Sequence, residues 1–172
     1  SVFSGLRPDT TGVYNNHTDF RNTVPWVTTL PKHFSNSGYY SVGIGKNYHN
    51  NSNDSQTWDT WLGDSGSNSA PRYVNSSNLA IHRERKAIQE DTGETYNGPV
   101  SECVETSYNS YVDGKVTDET VQLIEDLSNS EQPFFIGVGL AKPHLPFIAP
   151  KKYWDYYNVE DLDIPEFRQR AQ

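Results

Sequence analysis

Two segments, Gly43-Ile-Gly-Lys46-Asn-Tyr-His49 and Pro133-Phe-Phe-Ile-Gly-Val-Gly-Leu-Ala-Lys142-Pro-His144, are short apolar runs that stop at a lysine and a histidine. Each run reads as a buried strand. In an open α/β sheet, ligands bind outside the carboxyl ends of the strands. Two strand ends that both carry cations therefore imply a site for an anion.

The two couples differ in geometry. Side chains alternate between the faces of a strand, so Lys46 and His49, three apart, share a face only if the chain leaves the strand near Lys46 and curls. Lys142 and His144 are two apart. Pro143 and Pro146 push the residues before them towards extended conformations, which lets Lys142 and His144 project to one side. Taken singly, each couple has an ordinary explanation: a strand-end lysine is usually solvated, and a single histidine is more often structural than catalytic.

Around these runs, strand-like and helix-like segments alternate, which indicates a layered α/β organisation. Residues 5–14 are a turn-rich cluster. Thr28 or Thr29 can cap a short helix with Pro31 in its first turn, Leu30 and Phe34 inward, and Gly38 as its terminator. Residues 39–44 form the first strand. Residues 50–77, rich in Asn, Ser, Asp and Gly, read as a long loop interrupted by Trp58 and Trp61. Residues 78–89 suit a loosely periodic helix. Thr117 is a candidate N-cap, with Val121, Ile124 and Leu127 on one face of the helix it would start. The second strand spans 134–140, and Pro150 can open a helix through Tyr157. The polar tail 160–172 reads as frayed.

A longer pattern then emerges. Phe3-Ser-Gly-Leu-Arg-Pro-Asp-Thr-Thr-Gly-Val-Tyr14, Thr29-Leu-Pro-Lys-His-Phe34 with Gly38-Tyr39, Gly43 to His49, Trp58 and Trp61, and Pro133-Phe-Phe135 with Lys142-Pro-His-Leu-Pro-Phe147 follow one another in order. Together they resemble the formylglycine-dependent sulfatases, and within them the iduronate-2-sulfatase-like branch. The resemblance covers nearly the whole chain and is poorest between about residues 63 and 101.

It implies an α/β fold of the alkaline-phosphatase and sulfatase type, with a central mixed sheet flanked by helices. Residues 1–172 would be part of the N-terminal catalytic domain, incomplete at both ends, with a variable loop region at about 50–101. The implied reaction is sulfate-ester hydrolysis on a carbohydrate. Lys46 would contact the sulfate and the activated nucleophile, and His49 would orient that nucleophile. His144 would bind the sulfate or protonate the leaving group. Lys142 would support the site or remain a solvated charge. Trp58 and Trp61 would either form a wall against a sugar ring or close their loop onto the domain.

The family's nucleophile is a Cys or Ser in a Cys-x-Pro-Ser-Arg motif, which a maturation enzyme oxidises to formylglycine. Cys103 does not match it, because Val104-Glu105-Thr106 follows. The family's calcium ligands, an Asp pair near its N-terminus and an Asp-His or Asp-Asn pair well past the region resembling Gln172, are likewise not found. The formylglycine and calcium of the full-length protein would come from outside this chain, and no residue here is assigned to a metal. The resemblance also implies a sulfated carbohydrate as substrate and an extracytoplasmic setting, whether periplasmic, secreted or lysosomal.

Composition narrows the partners further. The net charge of −8 over 172 residues argues against general nucleic-acid binding, which needs a basic patch; attraction for a sulfated ligand must then be local. Only 34% of residues are hydrophobic, and the 13% that are aromatic must carry much of the packing. No run of about 18 apolar residues suggests a membrane span, and one cysteine excludes an internal disulfide. Arg7 and Asp9 suit a pair within their turn, and 82–86 a solvated face. Two other functions stay open: a phosphodiesterase or phosphonate hydrolase of the same superfamily, and a non-catalytic protein that binds sulfated glycans.

Overall fold

The computed structural model of the chain describes residues 2–49, 54–63, 73–93 and 98–163. Its elements are helices α1 (Pro8–Thr11), α2 (Leu30–Asn36), α3 (Ser76–Thr92), α4 (Val112–Ser128) and α5 (Lys151–Trp154), and strands β1 (Tyr40–Gly45), β2 (Thr60–Gly63), β3 (Ser101–Val104), β4 (Phe134–Gly139) and β5 (Phe147–Pro150). They group into two compact units, Ser1–Arg72 with Asn109–His144, and Tyr73–Tyr108 with Leu145–Gln172.

The first unit is built on a sheet in the order β2-β1-β4. β1 runs parallel to both neighbours, and its register with β4 continues from Tyr40 against Phe134 to Gly45 against Gly139. Val42 and Ile44 of this central strand are fully buried, as suits a strand covered on both faces. The sequence-based strands at 39–44 and 134–140 thus correspond to β1 and β4. Where a mixed sheet is expected, every strand pair among the described residues is parallel.

Aromatic residues fill one face of this sheet. Gly43 and Gly137 are register partners, and together they leave a trough without side chains. Trp61 lies over Gly43 and Trp58 over Gly137, so closely that a β-carbon at either glycine would run into an indole. Trp58 also stacks on Phe135, with ring centroids 5.9 Å apart, and Phe135 stacks on Phe34 of α2 at 4.3 Å. Phe3 meets the edge of Trp58. Pairs of this kind contribute about 0.5–1.5 kcal/mol each beyond the area they bury, which is how a chain with few aliphatic residues closes a core.

Asp59 ties the sheet to α2. Its carboxylate accepts from Ser41 N at 2.8 Å, Ser41 Oγ at 2.9 Å and Ser35 Oγ at 2.8 Å. Burial pushes the Asp59 carboxyl up, but these hydrogen bonds outweigh it and hold the group below the usual carboxylate range.

Several local expectations are corrected. The stretch read as a loop over 50–77 contains β2, a single 3-10 turn at Ser55–Thr57, and the start of α3, where Asn75 caps Ser77 N and Asn78 N. Thr29 precedes α2 as expected but does not cap it; its hydroxyl donates to Asp54 instead. In α2, Pro31 is buried while Leu30 is 39% exposed. Helix α4 begins at Val112, five residues before the expected cap, and Thr117 Oγ donates to Asp113 O within the helix. The early start follows from packing, since Tyr111 and Val116 are almost fully buried. Its inner face therefore carries Val116, Leu123 and Leu127, and leaves Val121 and Ile124 exposed.

The second unit pairs β3 with β5 in parallel. Buried Glu102 of β3 accepts from Val74 N, Asn75 N and Asn78 Nδ2, which fixes the entry to α3. The charged stretch of α3 from Arg83 to Lys86 faces solvent as expected. Pro150 sits at the N-cap of α5, which ends at Trp154 rather than continuing to Tyr157. Residues 159–161 form one 3-10 turn, and the tail read as frayed lies outside the described residues from 164 onward.

Candidate active site

β1 and β4 end together at the paired Gly45 and Gly139. Gly45 takes φ +72°, a conformation that favours glycine, and the chain turns there. Lys46 N donates to Gly139 O at 2.8 Å and Asn47 N to Gly45 O at 3.0 Å. The Asn47 side-chain amide then donates to Ile44 O at 2.8 Å and to Gly137 O at 3.0 Å. One amide thus satisfies carbonyls at the ends of two strands and closes the curl that Lys46 and His49 need to share a cleft.

The second wall comes after β4. Asp113 of α4 accepts from Ala141 N at 2.7 Å and from Lys142 N at 2.9 Å, one bond on each carboxylate oxygen. His144 N donates to Ala141 O at 3.0 Å, and the Lys142–Pro143 peptide is cis. Lys142 Nζ donates to His144 O at 2.8 Å, so this ammonium braces the turn that carries His144.

Lys46, Tyr48, His49, Lys142 and His144 line one cavity of about 500 Å³. No aspartate or glutamate is among its described lining residues, although the chain carries 22 such residues. Lys46, His49 and His144 are solvent-exposed, and Lys142 is half-buried. In this setting an anion meets cationic and neutral groups only. Burial pushes the Tyr48 phenol up to about 12, with Trp58 and Thr57 partly offsetting it, so Tyr48 is a neutral wall at physiological pH.

Trp58 and Trp61 are absent from this cavity's lining. Trp58 is 6% exposed and is packed between Phe3 and Phe135. Trp61 lies against Gly43 and Tyr48. Trp58 is buried and Trp61 half-buried, and both indoles pack on the sheet, in keeping with the alternative that they close their segment onto the domain. Arg7 and Asp9 do not pair either, because Asp9 Oδ1 accepts from Tyr14 Oη at 3.1 Å. Asn47 and Asp113, which hold the two walls, escape sequence reading. Asn47 looks like a spacer between Lys46 and His49, and the backbone partners of Asp113 lie 28 and 29 residues away.

Among the described residues, no three His, Cys, Asp or Glu side chains come together to hold a metal. Cys103 is an exposed free thiol on β3. No described helix is long and apolar enough to cross a membrane.

The Sulfatase family model matches residues 1–171. The chain is 30% identical to Homo sapiens iduronate 2-sulfatase over 170 residues, which is 95% of this chain and 29% of that protein. It is 29% identical to the Mus musculus iduronate 2-sulfatase over 171 residues, with the same coverage. A sulfatase of Formosa agariphila is 27% identical over 177 residues, 98% of this chain and 33% of that protein. The chain therefore spans about 30% of the length of these relatives. With a family match over residues 1–171, this chain belongs to the sulfatase family.

Proposed function

We propose that a full-length protein carrying this chain hydrolyses sulfate esters on a carbohydrate, with a uronic-acid or other polysaccharide-derived sugar as the substrate class. The observation that supports this is the convergence of Lys46, His49, Lys142 and His144 on one cleft whose described lining has no carboxylate. Cleaving a sulfate ester develops negative charge on the sulfuryl oxygens and on the departing alcohol. Lys46 stabilises the first as a cation positioned where that charge develops. His144 protonates the second, and His49 hydrogen-bonds the attacking oxygen. Lys142 is a positioning residue that acts through the main chain of His144. In this family, formylglycine and calcium supply the nucleophile and further charge stabilisation, and in this protein both would come from residues outside the chain. Membership of this family also favours an extracytoplasmic setting and a dedicated maturation enzyme.

The 172-residue chain by itself is expected to have no sulfatase activity, since it holds neither an oxidisable Cys-x-Pro-Ser-Arg motif nor a described metal cluster. Assay of the purified chain on an aryl sulfate checks this; turnover above the buffer rate would show that it carries its own nucleophile. The full-length protein should hydrolyse aryl and sugar sulfates in preference to the matching phosphate diesters and phosphonates. The reverse preference would move it to the phosphodiesterase reading.

A substitution at His144 separates acid catalysis from anion binding. A positioned general acid contributes about 10²–10⁴ in rate when the leaving group needs a proton. A sugar alkoxide needs one, whereas a phenolate departs with little help. His144→Ala in the full-length protein is therefore expected to slow sugar sulfates far more than aryl sulfates. Equal losses on both substrate types would leave His144 as a sulfate-binding residue.

A further inference from the structure

A second groove, of about 660 Å³, shares Lys46, Asn47, Tyr48 and His49 with the cleft described above. Its far part is lined by Tyr14, Asn15, Asn16, Thr18 and Phe20. None of these residues has a role in the sulfate chemistry. The volume lies within the range of about 300–1,000 Å³ typical of small-ligand sites.

The lining has the chemistry of a carbohydrate site. Beyond the shared Lys46 and His49, its described residues are all uncharged, a mixture of aromatic and aliphatic faces, amides and hydroxyls. A pyranose offers the same combination, an apolar ring face bordered by hydroxyl groups. Tyr14 is 71% exposed, so a face of its ring is open to a ligand in the groove. Its ring is nonetheless held in place, because Tyr14 Oη donates to Asp9 Oδ1. The neighbouring loop is organised as well: Asn15 Oδ1 accepts from His17 N at 2.8 Å, Thr18 N at 3.0 Å and Thr18 Oγ at 3.1 Å. A prearranged surface of this kind loses little conformational entropy when a ligand binds. The described lining itself holds no carboxylate; the nearby Asp9 is engaged by the Tyr14 hydroxyl.

We infer that this groove is a glycan subsite, in which Tyr14 stacks on the sugar unit next to the one whose sulfate occupies the Lys46/His144 cleft. The inference rests on the sulfatase reading for the position of the sulfated unit. The loop from Lys46 to His49 is the wall common to both cavities, so one oligosaccharide spans them by passing over it. Substrate preference then depends on chain length, and Tyr14 is the residue that reads it.

The test uses the full-length protein with sulfated mono-, di- and trisaccharides of one uronate-containing glycan. Tyr14→Ala is expected to lower kcat/KM on the di- and trisaccharide about ten-fold more than on the monosaccharide, chiefly through KM, as loss of one stacking contact worth about 1–1.5 kcal/mol requires. Tyr14→Phe keeps the ring and should retain most of the length preference. Losses equal at all three lengths, or no loss at any, overturn the subsite. Calorimetric titration with the trisaccharide reads binding without turnover and so keeps the two readings apart. If the wild-type protein cleaves no sulfate ester but binds the trisaccharide, and Tyr14→Ala weakens that binding about ten-fold, the subsite stands and the hydrolase reading falls. Unchanged affinity, or no binding by the wild-type protein, overturns the subsite whatever the activity.

Discussion

Lys46→Ala in the full-length protein is expected to lower kcat on a sugar sulfate by about 10²–10³, the usual cost of removing one preorganised contact to developing charge. Several features argue for a loss at the upper end. Lys46 is the first residue past the paired ends of β1 and β4, and its backbone is pinned by the bond from Lys46 N to Gly139 O. The Asn47 amide immediately behind it bridges two strand-end carbonyls. These bonds fix the backbone that carries the Lys46 side chain at the edge of the cleft. The described lining offers no nearby carboxylate to neutralise it. KM should change less than kcat, because the interaction is strongest in the transition state. Lys46→Arg tests the geometry separately: the charge remains, but a planar fork replaces a compact ammonium, and only partial recovery is expected. A Lys46→Ala variant with kcat within about three-fold of wild type would remove the lysine from the chemistry.

How much of this arrangement can be read from the chain depends on whether the cause is local. β1 and β4 are legible because a buried strand must be a nearly unbroken apolar run, and their ends are legible because charged residues cannot continue into the core. The need for a turn at Lys46 also follows from the three-residue spacing to His49, given side-chain alternation. The means of making that turn do not follow. Asn47 acts on Gly137 O, 90 residues away in sequence, and Asp113 acts on the backbone of Ala141 and Lys142. Trp58 and Trp61 illustrate the same limit. In the sequence, a wall against a sugar ring and closure of the segment onto the domain are both open to them, and only the pairing of Gly43 with Gly137 reveals the trough that receives them. Thr117 shows local logic failing in the other direction. A good capping residue with acidic neighbours is overridden because burying Tyr111 and Val116 favours an earlier helix start.

The largest stability effect is expected away from the cleft, at Arg21 and Asp54. Arg21 Nε and Nη2 each donate to one Asp54 carboxylate oxygen at 2.8 Å, a bidentate pair, and Arg21 Nη1 reaches Val27 O at 2.7 Å. The Asp54 side chain is fully buried and that of Arg21 is 17% exposed. The hydrogen bond to Asp54 holds the Arg21 guanidinium above its ordinary pKa against the opposing effect of burial. Thr57 Oγ at 3.0 Å and Thr29 Oγ at 3.4 Å complete the shell around the carboxylate. Arg21→Met removes the counter-charge and leaves those two hydroxyls facing a buried anion, a change that typically costs about 3–5 kcal/mol. That is a large share of the roughly 5–15 kcal/mol that holds a domain folded. Urea unfolding of the full-length protein at neutral pH, followed by tryptophan fluorescence, measures the loss. The second substitution needed for a control is Asp54→Asn, because Asp54 has φ +41° and asparagine tolerates that conformation. Its amide oxygen still accepts from Thr57, and no charge is left behind. Arg21→Met/Asp54→Asn should therefore be more stable than Arg21→Met alone, which isolates the buried charge from the packing of the arginine stem. A single-variant loss below about 1 kcal/mol, the range of an exposed ion pair, would mean that water reaches Asp54 and that the pair does not clamp the fold.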